Sequence, residues 1–457
     1  LVGSEMCIRD RIKAACGLAD PNAVWGMTQA APELVHWLLK LGVKFNMSGY
    51  DDVDLRNFGG QKKKRTAFAQ SDTGKQIMTA MIDAVRRKEA SGMVERFSHH
   101  SFLTLRLCGN ICCGCVIRDE YSQETVELPG DAVIVATGGM HGLFGNTTGS
   151  LSNTGEVTAE LFRLGVPLAN GEMIQYHPTT VKCGGKRMLI SEAARGEGGR
   201  LFAMKDGKQW YFMEEKYPEL GNLMPRDITA REIWKVSHES EVFLDMTEIS
   251  EEIISNKLSG LADDCMTYLH KDIRKEPVSV LPGIHYFMGG ILVDEQHRTP
   301  IQNLYAAGEC CAQYHGANRL GGNSLLGALY GGRVAAKSAC EQADVVDLSC
   351  ATQIDFPPAS QISEIKQLNK VMQETMGVVR NENTLLNGIQ TVQALTGNLP
   401  LLGMAVLKSA LARKESRGAH WREDYPKSND DDYLKTTVAR FDGKQIQISF
   451  VPVPERR

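Results

Sequence analysis

The feature that most constrains the fold is a strand-like run, a glycine-rich loop and a helix-like run that follow one another between residues 303 and 340. The loop, 315–326 (HGANRLGGNSLL), sets Arg319 among glycines before the helix-like run 325–340, and Asn323 and Ser324 are favourable N-cap residues. A helix N-terminus offers free N–H groups and a positive dipole end to an anion. A second segment, 285–290 (HYFMGG), also joins a basic side chain to glycines. Together the two segments predict a site for a flat, anionic ligand, as at the ring end of a flavin site.

A second strand-like run, 131–139 (DAVIVATGG), is apolar and closes on a glycine pair. This pattern favours a buried parallel strand, and such strands place ligands at their carboxyl ends.

Four cysteines, at 108, 112, 113 and 115, lie in a segment that predicts two strands joined at Gly109 and Asn110. No second cysteine group with ligand spacing is nearby, so we interpret the four as small core residues rather than a metal site.

Composition narrows the function classes. A chain of 457 residues is long enough for two or three domains, and 42% apolar with 23% charged residues is typical of a globular protein. The net charge of −4 gives no sign of a nucleic-acid interface. No apolar run reaches the roughly 18 residues of a membrane helix, so membrane association is expected only through a partner. Twelve scattered cysteines favour a reducing cytoplasm over a disulfide framework.

The start of the chain is unusual. Residues 1–10 begin without Met and follow neither a helical nor a strand period, so we expect a non-native leader of the kind that adapter read-through produces. A dinucleotide-binding fold normally opens with a strand, a G-x-G-x-x-G turn and a helix, and residues 1–60 contain no such turn. We therefore expect the sequence to lack the beginning of that fold.

Six motifs in order carry a family resemblance. They are 175–180 (QYHPTT), 191–199 (SEAARGEGG), 225–227 (PRD), 285–290, 315–326 and 416–426 (SRGAHWREDYP). Over about residues 15 to 435 the chain resembles the flavoprotein subunit family of succinate dehydrogenase and fumarate reductase, which also includes L-aspartate oxidase. The resemblance implies FAD as cofactor and a small dicarboxylate as substrate.

The resemblance also implies an α/β fold. It predicts a Rossmann-like FAD-binding domain, incomplete at its N-terminus, with an inserted α+β capping domain and a C-terminal helical domain. The expected boundaries are 11–171 and 286–345 for the FAD-binding domain, 172–285 for the capping domain and 355–457 for the helical domain.

For the substrate, the resemblance assigns His177, His285 and Arg319 to the two carboxylates, because each negative charge needs a fixed cationic or hydrogen-bonding partner. It makes Arg226 the proton donor, supplied through Glu192 and Arg195. Spacing alone would favour a helix ion pair between the last two, which lie three positions apart. The other residues that the resemblance places at the substrate are Ser191, Gly321 and Gly322.

For FAD, the resemblance implies contacts from both glycine-rich segments and from the ends of the predicted strands. These residues are Ala136, Thr137, Gly138, Glu156, His285, Tyr286, Glu309, Arg319, Asn323, Ser324 and Leu325. At 156–157 the family usually has Asp followed by Gly, where this chain has Glu156 and Val157. The carboxylate is therefore retained, one methylene longer.

Within the family, succinate/fumarate interconversion is the first expectation and L-aspartate oxidation the main rival. Ser191-Glu192-Ala193 leans towards the oxidase, whereas Gly321-Gly322 and Met288 differ from the Ala-Ser and Cys usual there. Another flavin-dependent dicarboxylate or enoate reductase is a third possibility, and an inactive fragment that lacks the ADP-binding half of the FAD site is a fourth.

The expected partner is an iron–sulfur protein subunit. We expect a cytoplasmic protein that associates with the cytoplasmic face of a membrane, if at all, through partner subunits.

Overall fold

The computed structural model describes residues 5–50, 52–56, 64–70, 72–343, 354, 356 and 361–456. Its mixture of helices and sheets confirms the predicted α/β class. The elements up to residue 169 are α1 (Glu5–Ala14), α2 (Pro21–Lys40), β1 (Leu55–Arg56), β2 (Thr66–Ala67), α3 (Thr73–Ala90), β3 (His100–Cys108), β4 (Ile111–Asp119), β5 (Thr125–Pro129), β6 (Val133–Val135), α4 (Glu156–Arg163) and β7 (Leu168–Ala169).

Helix α1 overlaps residues 1–10, which we expected to be a non-native leader and whose sequence follows no helical period. The chain is helical from Glu5 onwards, while residues 1–4 lie outside the described part. Ile8 is only 1% exposed and belongs to a small core with Ala15, Ala19 and Val24. Tertiary packing of this one side chain therefore supports a helix whose sequence has little periodicity.

Strand β6 is shorter than the apolar run that predicted it. It pairs in parallel with β16 (Leu304–Ala306), which confirms the predicted orientation. The predicted burial holds for Val135 but is wrong for Ile134, whose side chain is 40% exposed. Alternate residues of a strand point to opposite faces, and the face that carries Ile134 is open in the described structure.

The cysteine-rich segment forms the predicted hairpin. β3 and β4 pair antiparallel and turn at Gly109 and Asn110, and β5 adds a third strand. Cys112 and Cys113 are buried free thiols and Cys115 is a half-buried one, as expected of core residues. Cys108 differs from that interpretation, because it is only half-buried and is disulfide-bonded.

Residues 174–287 form a lobe with a core of its own. Four strands pair antiparallel in the order β11-β10-β12-β13, and three more in the order β14-β8-β9. The core is apolar and includes Leu201, Ile233, Leu244 and Ile254. The elements are β8 (Ile174–Cys183), β9 (Lys186–Leu189), α5 (Glu192–Gly196), β10 (Arg200–Lys205), β11 (Lys208–Trp210), α6 (Phe212–Lys216), α7 (Arg226–Val236), β12 (Val242–Asp245), α8 (Glu251–Lys257), α9 (Ser259–Asp264), β13 (Val278–Ser279) and β14 (Leu281–Phe287).

The predicted strand–loop–helix pattern then returns with β15 (Gly290–Leu292), β16, β17 (Cys311–Ala312) and α10 (Asn323–Gln342). Helix α10 begins two residues earlier than predicted. Gly322, with a φ of +80°, occupies the N-cap position, so Asn323 is the first helical residue rather than the cap. A left-handed φ is readily available to glycine, which explains the earlier start.

The C-terminal part contains α11 (Ile362–Thr375), α12 (Glu382–Val392), α13 (Asn398–Ala412), α14 (Asp430–Tyr433) and the hairpin β18 (Lys435–Phe441) and β19 (Ile446–Pro452). The described chain thus ends in two paired antiparallel strands. The hairpin extends a five-stranded sheet in the order β17-β15-β7-β18-β19. Across the described residues, no helix combines the length and the apolar character needed to cross a bilayer.

Candidate active site

A cavity of about 480 Å³ lies between β8 and β14 of the lobe, the starts of α5 and α7, and the start of α10. One end of it is polar and the other is lined by aliphatic and aromatic side chains from α2, α3 and the segments between them. The predicted site residues at the polar end are His177, Ser191, Glu192, Arg226, His285 and Arg319. The structure therefore brings side chains from five sequence motifs to one cavity.

Two histidines come together because β8 and β14 are paired. Gly283 lies opposite His177, and a register shift between Ile284 and Tyr286 locates His285 at an irregularity of the ladder. The two imidazole rings meet edge to face, with centroids 5.2 Å apart. Burial, followed by the charge of Arg226, lowers the pKa of both rings well below the ordinary value of 6.5. Both are therefore neutral, and each can donate or accept a hydrogen bond.

The nitrogen atoms of these rings are used unequally. Nδ1 of His285 lies 2.8 Å from the Thr148 hydroxyl. Nδ1 of His177 accepts a hydrogen bond of 3.2 Å from the Thr179 N–H. Nε2 of His177 is buried and has no hydrogen-bond partner among the described residues. Because a buried polar atom without a partner is costly, Nε2 is suited to a polar ligand.

Glu192 links two arginines. The Ser191 hydroxyl caps helix α5 by accepting from the Ala193 N–H at 3.2 Å, which fixes Glu192 in the first turn. Nη2 of Arg195 donates to Oε1 of Glu192 at 3.2 Å, and Nε of Arg226 donates to Oε2 at 3.0 Å. The ion pair favoured by spacing and the three-residue chain implied by the resemblance are therefore both present.

Burial and charge act in opposite directions on this cluster. Burial raises the pKa of the Glu192 carboxyl, but the positive charges of Arg226 and Arg195 outweigh it and the net pKa is lowered. Burial also lowers the pKa of the Arg195 guanidinium, against the attraction of Glu192. Glu192 is thus an anion held between two cations.

Arg319 is the least satisfied arginine of the site. It is 3% exposed, its guanidinium carbon lies 4.3 Å from the centre of the Tyr286 ring, and Nη1 makes a long hydrogen bond of 3.4 Å to the Leu320 carbonyl. Its Nε has no partner among the described residues. Burial, and next the charge of Arg226, lowers the pKa of Arg319 to about 9. Gly322 lines the cavity beside Arg319, whereas Gly321 is buried and does not line it.

The predicted cofactor residues fall into two groups. Asn323, Ser324 and Leu325, in the first turn of α10, line the same cavity as His285 and Arg319. The second group lies at or near the carboxyl ends of the parallel strands β6 and β16. Ala136 and Thr137 are exposed there, Gly138 has a φ of +73°, Glu156 begins α4, and Oε1 of Glu309 accepts from the Phe287 N–H at 3.0 Å.

Sequence reasoning missed Gln175 and Asn318, which connect Arg226 to the loop that carries Arg319. Gln175 accepts a hydrogen bond of 3.1 Å from Nη1 of Arg226, and its amide donates to the Arg319 carbonyl at 2.8 Å. It also donates to Asn318 at 3.0 Å, and Asn318 donates to Asp227 at 3.1 Å. The two-residue period of a strand would have placed Gln175 on the same face as His177.

Comparisons with known proteins agree with this arrangement. The FAD binding domain family matches residues 5–325, and the fumarate reductase flavoprotein C-terminal family matches residues 395–456. The succinate dehydrogenase flavoprotein subunit of Bacillus subtilis is 35% identical over 96% of this chain and 86% of its own. The chain belongs to the flavoprotein family of succinate dehydrogenase and fumarate reductase. Its resemblance to that family is confirmed.

Two further relatives show the breadth of this flavoprotein family. L-aspartate oxidase of Nostoc is 31% identical over 95% of this chain and 83% of its own. The quinol fumarate reductase chain FrdA of E. coli, solved with a point mutation, superposes with a TM-score of 0.88 at 25% identity, over 98% of this chain and 86% of that one. The chain is therefore an FAD-dependent oxidoreductase, and the expected cofactor and fold are confirmed.

The residues present fit FAD. The first turn of α10 offers N–H groups towards the cavity, and an anionic ring edge is stabilised at such a helix start. Arg319 adds a buried cation beside that turn, and its Nε has no hydrogen-bond partner within the described part of the chain. Glycine at 138, where an added Cβ would lie 2.5 Å from the Asn153 amide, allows the chain to turn closely at the end of β6. These features suit a flat, negatively polarised ring and its attached chain.

Proposed function

We propose that this flavoprotein interconverts succinate and fumarate. One observation carries the proposal: the cations Arg226 and Arg319 and the neutral rings of His177 and His285 face one cavity whose only carboxylate among its described lining residues is Glu192. Positive charge therefore exceeds negative charge at the polar end. A small dicarboxylate supplies two anionic groups and enough acceptors for the unpaired nitrogens.

The substrate would bind by accepting hydrogen bonds from buried donors of the cavity. Nε of Arg319 and Nε2 of His177 are both buried without partners in the described structure, and they lie on different elements that line the cavity. A dicarboxylate that reaches both would be held at each end. Because Arg319 and His285 also flank the first turn of α10, the same ligand would lie against the ring of FAD.

Proton transfer is assigned to Arg226. When bound, FAD supplies the acceptor or donor of a hydride at one substrate carbon. Arg226 carries the proton for the other carbon, and Glu192 holds two of its nitrogens, with Nε at 3.0 Å. Arg195, on the opposite oxygen of Glu192, lets the carboxylate exchange a proton without becoming an isolated buried charge. Close cations and exclusion of water lower the cost of transient deprotonation of an arginine.

L-aspartate oxidation is the second candidate. It is supported by the 31% identical oxidase and by Ser191, whose hydroxyl lies at the cavity where an extra polar group of the substrate could bind. Gly321-Gly322 and Met288 favour the dehydrogenase and reductase members instead, because the oxidases usually carry Ala-Ser and Cys at these positions.

A substrate panel tests the proposal. Flavin-loaded protein is assayed with succinate and an oxidising dye, with fumarate and a reduced dye, and with L-aspartate. We expect turnover with succinate and fumarate and none with L-aspartate. Activity with L-aspartate alone would overturn the proposal in favour of the oxidase, and a protein that never binds flavin would overturn both candidates.

We also propose an iron–sulfur protein subunit as the electron partner and a cytoplasmic location, with any membrane contact at the cytoplasmic face made through partner subunits. The support is that the Bacillus relative is itself named a subunit. Co-purification of the tagged chain after expression with the genes that neighbour its own is the test. Recovery of the chain alone, with full dye-linked activity, would count against a stable partner.

A further inference from the structure

The motif 416–426 contributes no residue to the cavity, yet its first turn contacts the loop that carries Arg319. Ser416, Arg417 and His420 are buried, and Gly418 and Ala419 are half-buried. We call residues 416–420 the C-terminal turn.

The turn is in backbone contact with the loop that carries Arg319. The Ala419 N–H donates to the Ala317 carbonyl at 2.8 Å, and the Ala317 N–H donates to the Ala15 carbonyl at 3.0 Å. Ala317 is therefore held on both sides. Gly418 has a φ of +54°, and a Cβ at that position would lie 2.5 Å from the Ala317 carbonyl oxygen. Only glycine permits this approach without displacing the loop.

Arg417 anchors the turn. Its Nη1 donates to the Cys16 carbonyl at 2.9 Å, next to the Ala15 carbonyl that binds Ala317. Its Nε and Nη2 bind the Glu415 carboxylate at 2.8 Å and 2.9 Å. Glu415 is fully buried and also binds Arg413 at 2.7 Å. The far side of the loop is thus tied to a rigid charge network rather than to solvent.

His420 connects the turn to the segment that carries Glu172 and Gln175. Nη1 of Arg380 donates to Nδ1 of His420 at 2.9 Å and to the Glu172 carbonyl at 2.8 Å. Glu172 precedes Gln175, which binds both Arg226 and the Arg319 carbonyl. Nε2 of His420 donates to the Arg413 carbonyl at 3.1 Å. The histidine therefore serves as a neutral spacer between two arginine-bearing segments.

We propose that the C-terminal turn is a positioning element for Arg319, an inference that rests on the proposed dicarboxylate function. Within the described residues the Arg319 side chain makes one hydrogen bond, a long one of 3.4 Å, and stacks on the Tyr286 ring, so the position of its guanidinium depends strongly on where its backbone lies. That backbone is held by Ala317 two residues before it and by Gln175 at its carbonyl. The turn thereby determines where one end of the substrate can bind.

Gly418→Ala tests the positioning role, and Gly443→Ala is the matched control. Gly443 also has a positive φ, +89°, but a Cβ there would meet no atom within 4 Å. Malonate, a dicarboxylate without a reducible bond, is titrated into flavin-loaded protein and its Kd is read from the flavin absorption. For Gly418→Ala we expect Kd to rise on the order of ten- to a hundredfold with flavin content retained, because displacements of about 1 Å have effects of this size. Gly443→Ala should bind malonate as the parent does.

Arg417→Lys keeps the test open if Gly418→Ala does not fold. It retains the charge but cannot bind Glu415 and the Cys16 carbonyl together, so we expect a smaller rise, roughly threefold to tenfold, in Kd and KM with kcat little changed. Equal Kd values for both glycine variants, or a parent-like Kd for Arg417→Lys, would overturn the inference. A parent protein that binds flavin but not malonate would instead overturn the proposed function on which the inference rests.

Discussion

Arg413 and Arg319 are both buried arginines, with 0% and 3% of their surfaces exposed, but they are satisfied very differently. The side chain of Arg319 makes one long hydrogen bond of 3.4 Å within the described structure, and its Nε makes none. Every guanidinium nitrogen of Arg413 donates at 2.7 to 2.8 Å. Its acceptors are Glu172, Glu415, Tyr433, Lys435 and Thr437.

This difference separates a structural charge network from a ligand site. A buried cation whose donors are all bonded to the protein has nothing left to offer a ligand, and its removal leaves its partners unpaired. A buried cation with free donors is stabilised only when an anion arrives. The protein therefore bears the desolvation of Arg319 in the absence of substrate, and dicarboxylate binding relieves it.

The largest expected effect concerns the chemistry at the ligand site. Arg226→Ala removes the proposed proton carrier, and we expect kcat to fall by about 10²- to 10⁴-fold with flavin content retained. Malonate affinity should fall much less than kcat, because Arg319, His177 and His285 still line the cavity. Arg231→Ala, on the same helix but packed 3.9 Å from the Trp421 ring, is the control and should keep kcat. A near-normal rate in Arg226→Ala would remove Arg226 from its assigned role.

The second prediction tests the structural side of the comparison. Arg413→Met leaves the fully buried carboxylates of Glu172 and Glu415 without this partner, and we expect about 3–5 kcal/mol of destabilisation in urea unfolding. Arg440→Met, on the exposed side of β18, should change the free energy of unfolding by less than about 0.5 kcal/mol. Similar stability for the two variants would mean that the network of Arg413 is not what holds this region.

The third prediction applies the same Arg→Met substitution to the ligand site. Arg319→Met removes a desolvated cation and keeps most of the side-chain volume, so the unliganded protein should be as stable as the parent or more stable. Malonate affinity should fall by about 1.5–3 kcal/mol, the usual worth of a hydrogen bond to a charged group. Thermal unfolding with and without malonate measures both quantities. A large loss of stability without malonate would place Arg319 in the same class as Arg413.

The sequence nominated His177, Glu192, Arg226 and Arg319 through the motifs that carry the family resemblance. Spacing alone would have given Glu192 only the role of ion-pair partner to Arg195. The sequence predicted the paired strands around Gly109 and the helix after the glycine-rich loop, since periodicity and turn residues are local signals. Their convergence depends on long-range pairing that no local pattern encodes.

The contacts of Gln175 and Gly418 show what local reasoning misses. Gln175 meets Arg319 only because β8 lies against a loop 144 positions later in the chain. Gly418 approaches Ala317 about a hundred positions away, so a distant neighbour adds to the constraint of its left-handed φ, and the local sequence does not reveal that neighbour. The burial of Ile8 in α1 has the same origin, because tertiary packing overrode a weak local pattern.

The smallest effect expected is a pH dependence that belongs to Arg319. Because its pKa is lowered to about 9, malonate affinity should be constant from pH 7 to 8 and then fall above pH 9, by up to tenfold per unit, as the cation is lost. His177 and His285 are neutral throughout this range and add no inflection. The free energy of unfolding of the unliganded protein should instead rise above pH 9, because the folded state releases this proton at a lower pH than the unfolded chain does. Flavin-detected malonate titrations from pH 7 to 10 measure the effect. The inflection should disappear in Arg319→Met, and its persistence there would assign it to another group.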